Sequence, residues 1–222
     1  MKNSSKTGAR PRPGDERRGW THARNAEQLR RHVSVEAARI MADEGVRDFH
    51  LAKRKAADRL NVAERKHLPS NEEIEAALKQ HLALFHGDRL ARDLRRMREI
   101  ALQAMRFLQR FNPRLVGPVL TGLLTAEAPI QLHIAADSPE EVGFLLSDHS
   151  IPHEQTEKRL RFGGERYEAV PVYRFDAEST PIEVYVFRPE DLREPPLSPV
   201  DGRPMRRATL KEVAELPASR SA

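Results

Sequence analysis

The chain has 222 residues, with 38 Lys and Arg against 33 Asp and Glu, a formal net charge of +5 and no cysteine. The lack of cysteine excludes disulfides and thiolate metal sites, and the length suits one domain of moderate size with extensions. No apolar run reaches the roughly 18 to 20 residues that span a bilayer, and the N-terminus lacks the apolar segment of a signal peptide. We therefore expect a cytoplasmic protein with no membrane partner.

The N-terminal segment is strongly basic. Residues 1–32 hold nine Lys and Arg against three Asp and Glu, whereas residues 113–222 hold 13 against 18. Few apolar residues interrupt its Ser, Gly, Pro and Arg, which predicts a disordered basic tail over residues 1–32. Two interpretations stay open: the tail neutralises phosphates of RNA or DNA, with Trp20 available to stack on a base, or it only solubilises the chain.

Residues 33–87 are predicted to form a helical extension. Ser34 is placed to cap a first helix that ends at Gly45, and a second helix is predicted from Asp48 to Leu60. Two helices joined by a short turn are also typical of a helix-turn-helix, so DNA binding is an alternative. The three adjacent basic residues of the second helix argue against it, because they point in different directions.

A capping box, Ser70-Asn71-Glu72-Glu73, predicts the start of a third helix that ends near His86-Gly87. A fourth helix is predicted over residues 88–111, with one apolar face and one face rich in arginine. The candidate nucleic-acid contacts on that second face are Arg92, Arg96, Arg106 and Arg110. The alternative is an ordinary solvated face.

β structure is predicted after Asn112-Pro113, which ends the fourth helix. Two strands are predicted at Arg114–Leu120 and Ile130–Ala136, followed by a short helix from Ser138 to Asp148. Gly163-Gly164 predicts a hairpin turn among the later strands, which are placed at residues 151–157, 159–162, 169–175 and 182–187.

The C-terminal segment, residues 189–222, is rich in proline and is predicted to wrap the surface in an extended form. Ser198–Pro204 has the composition of a tight turn, and Thr209–Leu216 is predicted to form one or two helical turns.

The most informative motif joins a glycine-containing turn to an apolar strand. Leu115-Val116-Gly117-Pro118-Val119-Leu120-Thr121-Gly122 is followed, seven residues after Gly122, by Pro129-Ile130-Gln131-Leu132-His133-Ile134. This spacing resembles the nucleotidyltransferase superfamily, in which a strand ends in Gly-Ser, a second Gly follows and Asp-x-Asp opens the next strand. The resemblance covers about residues 89–188 and implies nucleotide-binding positions at Gly117, Gly122 and Gln131.

Three polar groups of that superfamily are replaced in this chain. Pro118 stands where the family has Ser, and Pro129 and Gln131 stand where it has two Asp. Two alternating carboxylates on a strand hold the metal ions that bridge the triphosphate, and neither proline nor a neutral amide replaces them as a ligand of Mg²⁺. The resemblance therefore implies a degenerate active site.

Few candidates for catalysis remain, namely Gln131, His133 and Glu183. Glu183 lies in the predicted strand Pro181–Phe187, where the superfamily carries a third acid, although an exposed strand residue is the simpler interpretation. Mg²⁺ is expected only if the protein is an active enzyme. His133, Asp137 and Glu183 would offer metal ligands if the fold joined them, but Asp137 lies beyond the end of its strand, so no metal site is predicted.

A narrower resemblance involves the run Gln131–Val142 together with Ala37–Ala42 and Leu51–Ala57. These segments are similar to an uncharacterised proteobacterial family whose members are often labelled UDP-N-acetylmuramate–alanine ligase. Such a ligase needs an ATP-binding Gly-Lys-Ser/Thr loop and a much longer chain, and this sequence has neither. The resemblance therefore implies a fold rather than an activity.

The patterns together predict an α+β fold, with an N-terminal helical region followed by a nucleotidyltransferase-like mixed β-sheet with flanking helices over residues 88–188. The favoured hypothesis is a nucleotidyltransferase-like protein that has lost metal-dependent catalysis and binds nucleotide or RNA. One alternative is an active nucleotidyltransferase with displaced acids, using Glu183 and Asp137 with help from Gln131. Another is a protein-interaction or assembly factor whose pocket is filled by Leu120, Leu123 and Leu124.

Overall fold

The computed structural model describes residues 13–62, 68–125 and 128–216, which form an α+β fold. The helices are α1 (Pro13–Asp43), α2 (Phe49–Arg59), α3 (Asn71–Phe107), α4 (Gly117–Thr121), α5 (Glu140–Asp148) and α6 (Leu210–Ala214). The strands are β1 (Arg114–Val116), β2 (Ile130–Ala135), β3 (Glu154–Arg161), β4 (Tyr167–Ala177) and β5 (Thr180–Phe187). Single 3₁₀ turns lie at Gln109–Phe111 and Asp191–Arg193.

The first helix begins earlier than the sequence predicts. α1 starts at Pro13, so residues 13–32 are helical rather than a disordered tail, and residues 1–12 lie outside the described residues. Residues 23–31 are rich in Ala, Arg, Glu, Gln and Leu, which extend a helix that packing has already nucleated. The prediction that Ser34 caps the helix is wrong, because its hydroxyl donates to the Arg30 carbonyl inside α1.

The N-terminal core is formed by α1, α2 and the first half of α3. Its buried residues recur at helical spacing on all three helices, and they are Val33, Ala37, Ala38, Ile40, Met41, Ala42, Ala52, Ala56, Ile74, Leu78 and Leu82. The many alanines allow α1 and α2 to approach each other closely. This part matches the predicted helical extension in its position along the chain.

α3 is one continuous helix of 37 residues rather than two. The predicted capping box is present: Ser70 Oγ accepts from the Glu73 amide at 3.1 Å, and the Ser70 amide donates to Glu73 Oε2 at 2.6 Å. Gly87 does not end the helix, because a glycine inside a helix costs only about 1 kcal/mol and packed residues flank it on both sides. The predicted boundary between residues 87 and 88 therefore falls within α3.

The strands form one mixed sheet in the order β1-β2-β5-β4-β3. β2 and β5 are parallel neighbours, and the other adjacent pairs are antiparallel. The predicted hairpin turn at Gly163-Gly164 is confirmed, because it joins β3 to β4. The two strands predicted between residues 151 and 162 are one strand, β3, and the strand predicted to reach Leu120 ends at Val116, where α4 begins.

The two faces of the sheet differ in what covers them. On one face Ile130, Leu132 and Ile134 of β2 join Val184 of β5 in a core with α3, α5 and α6. On the other face β2 places Gln131 and His133 beside Glu183 and Tyr185 of β5. Strand alternation therefore separates a purely apolar core face from a face that carries the polar candidate residues.

The C-terminal segment returns along the sheet edge. Ala208 pairs with Leu115 of β1, and α6 begins at a capping box formed by Thr209 and Glu212. The predicted tight turn at residues 198–204 is confirmed by a bridge between Leu197 and Pro204. Among the helices of the described ranges, none has both the length and the apolar character needed to cross a membrane.

Candidate functional site

The glycine turn and the strand that follows it meet at Gly117 and Gln131. Gly117 lies at the junction of β1 and α4 with φ +69°, a backbone conformation that favours glycine. A Cβ at this position would lie 2.2 Å from Gln131 Oε1, so the side chain of Gln131 packs directly against the glycine backbone. Glycine therefore suits position 117 both for its conformation and for the space that the Gln131 side chain occupies.

Gln131 and Glu183 are cross-strand partners on the parallel pair β2 and β5. Gln131 Nε2 donates to Glu183 Oε2 at 3.1 Å and reaches Tyr185 Oη at 3.4 Å. Tyr185 Oη donates to the same carboxylate oxygen at 2.9 Å. Two of the predicted catalytic candidates are thus in direct contact.

Three basic side chains surround the Glu183 carboxylate, which is 4% exposed. Lys158 Nζ on β3 lies 3.0 Å from Oε2 and 3.2 Å from Oε1, and Arg174 Nη2 on β4 lies 2.9 Å from Oε1. Arg47, from the turn between α1 and α2, places Nη1 3.7 Å from Oε1. We call Arg47, Lys158, Arg174 and Glu183 the cationic cluster.

The cationic cluster has a net positive charge. Burial raises the pKa of Glu183, but the charge of Lys158 and the hydrogen bonds from Gln131, Lys158 and Tyr185 outweigh it and lower the pKa below its usual value. Burial and the neighbouring carboxylate raise the pKa of Tyr185, which stays protonated as a donor. Three positive charges and one negative charge leave a net charge of +2.

A cavity of about 660 Å³ lies next to the cationic cluster. Arg47 belongs to both, and Gln131, which lines the cavity, donates to Glu183 of the cluster. The helical region, the glycine turn with β2, and the C-terminal segment each form part of its wall. The residues that line it include Met41, Arg47, Phe49, Glu72, Glu75, Leu78, Gly117, Pro118, Leu123, Pro129, Gln131, Asp201, Met205 and Arg206. The positions that the resemblance implies for phosphate and metal binding, 117, 118, 129 and 131, therefore all line one cavity.

Not every predicted position belongs to this site. Gly122 ends α4 with φ +82° and its amide donates to the Pro118 carbonyl at 2.8 Å, so it shapes the turn and does not line the cavity. Leu120 and Leu124 are buried in the sheet core and only Leu123 lines the cavity, so these leucines do not fill the pocket as the assembly-factor alternative requires.

His133 is buried away from the cavity, and its role is packing. Its ring lies 4.8 Å from Phe187 and 5.3 Å from Tyr185, and Arg207 Nε donates to its Nδ1 at 3.1 Å. Burial and the charge of Arg207 lower the pKa of His133 to about 3. The imidazole is therefore neutral with its proton on Nε2, and it anchors the C-terminal segment to the sheet.

The predicted arginine stripe is exposed. Arg92, Arg96 and Arg106 lie on α3, and Arg110 lies in the 3₁₀ turn that follows it. Arg96 donates to the Glu178 carbonyl at 3.3 Å, and Arg110 donates to the Glu141 carbonyl at 3.3 Å. None of the four lines the cavity, to which α3 contributes residues of its first two turns. The stripe is thus not aligned with the glycine turn.

The donor set at Glu183 does not fit a magnesium ion. Mg²⁺ requires anionic oxygen ligands in octahedral geometry, whereas both oxygens of this single carboxylate already accept from Lys158, Arg174, Gln131 or Tyr185. Asp137 lies in a separate cavity of about 570 Å³ that includes neither His133 nor Glu183. In the part of the chain that the structure describes, no group of three or more His, Asp or Glu side chains could hold a metal.

Comparisons with known proteins do not identify a relative: no family model, no curated protein and no solved structure matches the chain. The two resemblances stay predictions.

The residues that sequence reasoning missed are basic ones brought in from distant elements. Arg47 precedes α2, while Lys158 and Arg174 lie on β3 and β4. One signal was available for Arg174: a two-residue turn at Glu178-Ser179 places it opposite Glu183 by strand pairing. No local pattern indicates Arg47 or Lys158.

Proposed function

We propose that this protein binds nucleotide or RNA through the phosphate groups, using the cationic cluster in place of metal ions, and has lost metal-dependent nucleotidyl transfer. The observation that carries the proposal is the set of three basic side chains around one buried carboxylate. Glu183 holds these cations together, and the remaining charge of +2 attracts an anion.

The basic side chains are accessible enough to bind a ligand. Those of Lys158, Arg174 and Arg47 are 35%, 42% and 46% exposed, although each contacts Glu183. Arginine and lysine are the usual phosphate ligands, and charge-assisted hydrogen bonds to phosphate are about twice as strong as neutral ones. A phosphate at the open side of the cluster would therefore be held by charge without displacing Glu183.

The adjoining cavity supports a small ligand as well as a phosphate. Its volume of about 660 Å³ lies within the range of about 300 to 1,000 Å³ that is typical of ligand sites. Gly117 brings the backbone close to Gln131 at its wall, as expected of a turn that approaches a ligand. The cavity and the cluster together would accommodate a nucleotide with its phosphates at Arg47.

The order of elements also supports a relation to nucleotidyltransferases. The glycine turn leads into the strand that carries Gln131, and the parallel neighbour of that strand carries Glu183 at the same level. In the superfamily these positions hold carboxylates and metal ions. Here basic side chains would supply the positive charge that the metal supplies there, so phosphate binding persists and activation of an attacking hydroxyl does not.

The proposal is tested by thermal melting of the full chain with ATP, GTP, CTP, UTP and a short RNA oligonucleotide, with and without Mg²⁺. A ligand that binds the native state raises the melting temperature by mass action. We expect a rise without Mg²⁺ that weakens as salt increases and is reduced in Arg47→Ala. Arg95→Ala, which removes an exposed arginine of α3 outside the cavity and outside the predicted arginine stripe, is the matched control and should behave like wild type.

Two results would overturn the proposal. One is the absence of any shift with all four nucleotides and RNA at low salt. The other is a shift that appears only with Mg²⁺ and is accompanied by release of pyrophosphate, which would favour the active transferase.

A further inference from the structure

The cavity beside the cationic cluster has a second polar wall that phosphate binding does not use. Glu72 and Glu75, from the first two turns of α3, and Asp201, from the C-terminal segment, line it together with Arg206. Apolar side chains, among them Phe49 and Leu78, line the remainder. One cavity thus combines a basic end at Arg47, apolar surfaces and a wall of carboxylates.

Glu75 is the half-buried carboxylate of this wall, whereas Glu72 and Asp201 are exposed. Within the described residues, no side chain or backbone group donates to Glu75. Burial, and then the charges of Asp201 and Glu72, raise its pKa. Hydrogen bonds from a ligand with N–H donors would stabilise the ionised form of this carboxylate.

The neighbouring charged groups of the wall do not pair with Glu75. Asp201 accepts from the backbone amide of Arg203 at 3.1 Å, and its carboxylate lies 4.0 Å from the Arg203 side chain. The charge of Arg206 acts on Arg98 and on Glu212. Neither group neutralises Glu75.

We infer that the cavity recognises a guanine nucleotide, with the base between its apolar surfaces and the N1–H and N2–H₂ donors of guanine on the Glu75 carboxylate. The inference rests on the proposed function, because that function places the phosphates at Arg47. It adds the identity of the base and names Glu75 as the residue that selects it.

The choice of guanine follows from the chemistry of a carboxylate, which only accepts hydrogen bonds when ionised. Guanine presents two adjacent N–H donors on one edge, which match the two carboxylate oxygens. Adenine and cytosine place a ring nitrogen acceptor beside their amino group, and uracil has a single N–H between two carbonyl oxygens. Planar bases also stack on aromatic and apolar surfaces such as Phe49.

The test is calorimetric titration of the full chain with GTP, ITP and UTP at neutral pH and low salt, without added metal. ITP differs from GTP only in lacking the N2 amino group. Since a hydrogen bond to a charged group is worth about 1.5 to 3 kcal/mol, we expect ITP to bind about 10- to 150-fold more weakly than GTP, and UTP more weakly still. In Glu75→Gln the GTP affinity should fall to about that of ITP, while the UTP affinity stays unchanged. Glu99→Gln, an exposed glutamate of the same helix outside the cavity, is the control.

The outcomes separate the inference from the proposed function. Equal affinity for GTP, ITP and UTP in the wild-type chain would overturn guanine recognition and leave phosphate binding intact. A GTP preference that survives in Glu75→Gln would overturn the assignment to Glu75. If none of the three nucleotides binds, the proposed function fails and the inference fails with it.

Discussion

The effect of Glu183→Gln on the affinity for a nucleotide distinguishes a cationic phosphate site from a metal-dependent enzyme. Glu183→Gln removes the negative charge of the cationic cluster, whose net charge rises from +2 to +3. Arg47 and Lys158 lie 3.7 Å and 3.0 Å from that carboxylate, so a phosphate on their open side would lie about 7 Å from Glu183. Two unit charges at that distance repel by about 0.6 kcal/mol in water and about 2.4 kcal/mol at an effective dielectric constant of 20.

The smaller repulsion energy, calculated for water, is appropriate here, because Lys158 and Arg47 are 35% and 46% exposed and solvent screens the interaction. Removing about 0.6 kcal/mol of repulsion tightens binding about threefold for each phosphate charge at the cluster. We therefore expect ATP to bind Glu183→Gln more tightly than wild type, with a gain that shrinks as salt increases. A metal-dependent transferase would show the opposite change, since it would lose a ligand.

The assay is calorimetric titration with ATP at low ionic strength, without and then with Mg²⁺, and Glu99→Gln is the control. Weaker binding by Glu183→Gln would refute the electrostatic reasoning. So would binding by the wild type that needs Mg²⁺ and is lost in the variant.

The same substitution should reduce stability. Breaking a buried ion pair costs about 3 to 5 kcal/mol, but the partners of Glu183 are more than a third exposed, so we expect about 2 kcal/mol. The pKa of Glu183 is lowered in the folded state. Its stabilisation is therefore present above the ordinary value of about 4.3 and is lost as pH falls through the folded pKa. The titrations must be made well below the melting temperature of the variant.

Two further predictions concern packing near the site. Gly117→Ala should destabilise the protein by about 2 kcal/mol more than Gly164→Ala in urea denaturation. Both glycines have φ near +70°, but only a Cβ at 117 would collide with Gln131, at 2.2 Å. Equal losses of stability would show that Gln131 moves aside freely. His133 has a pKa of about 3 in the folded state, so between about pH 6.5 and pH 3 its imidazole is protonated in the unfolded chain but not in the folded one. The free energy of unfolding should therefore fall by up to about 1.4 kcal/mol for each pH unit of acidification across that range. His133→Gln, which keeps an acceptor for Arg207, should flatten the free energy of unfolding across that window, and an unchanged slope would contradict the assignment.

Local sequence signals were sufficient to predict helix ends and turns whose stabilising contacts come from neighbouring residues. The capping box at Ser70 and the turn at Gly163-Gly164 depend on neighbouring residues, and both are present. The signal at Ser34 misled, because a serine can also bond back to the preceding turn within a helix. Gly87 wrongly predicted the end of a helix, because the free-energy cost of a glycine inside α3 is smaller than the stabilisation from packing of α3 on both sides of it.

The same distinction between local and distant signals applies to the residues of the candidate site. Gly117, Gln131 and Glu183 were found because a spacing along the chain resembles a known motif, and the fold brings them together. The residues that give the site its charge come from an interhelical turn and two other strands, Arg47 among them. A spacing cannot reveal such residues, because their proximity exists only after the sheet has formed.

The continuity of α3 has a consequence for how this protein unfolds. The helix contributes Ile74, Leu78 and Leu82 to the N-terminal core and Leu94, Ile100 and Met105 to the sheet core. Over about 55 Å it has no break at which one core could melt and leave the other intact. The helical region and the sheet therefore form a single cooperative unit, for which denaturation should give one transition rather than two. The first turns of this continuous helix form part of the cavity wall, so we expect the width of the cavity to change little if a ligand binds.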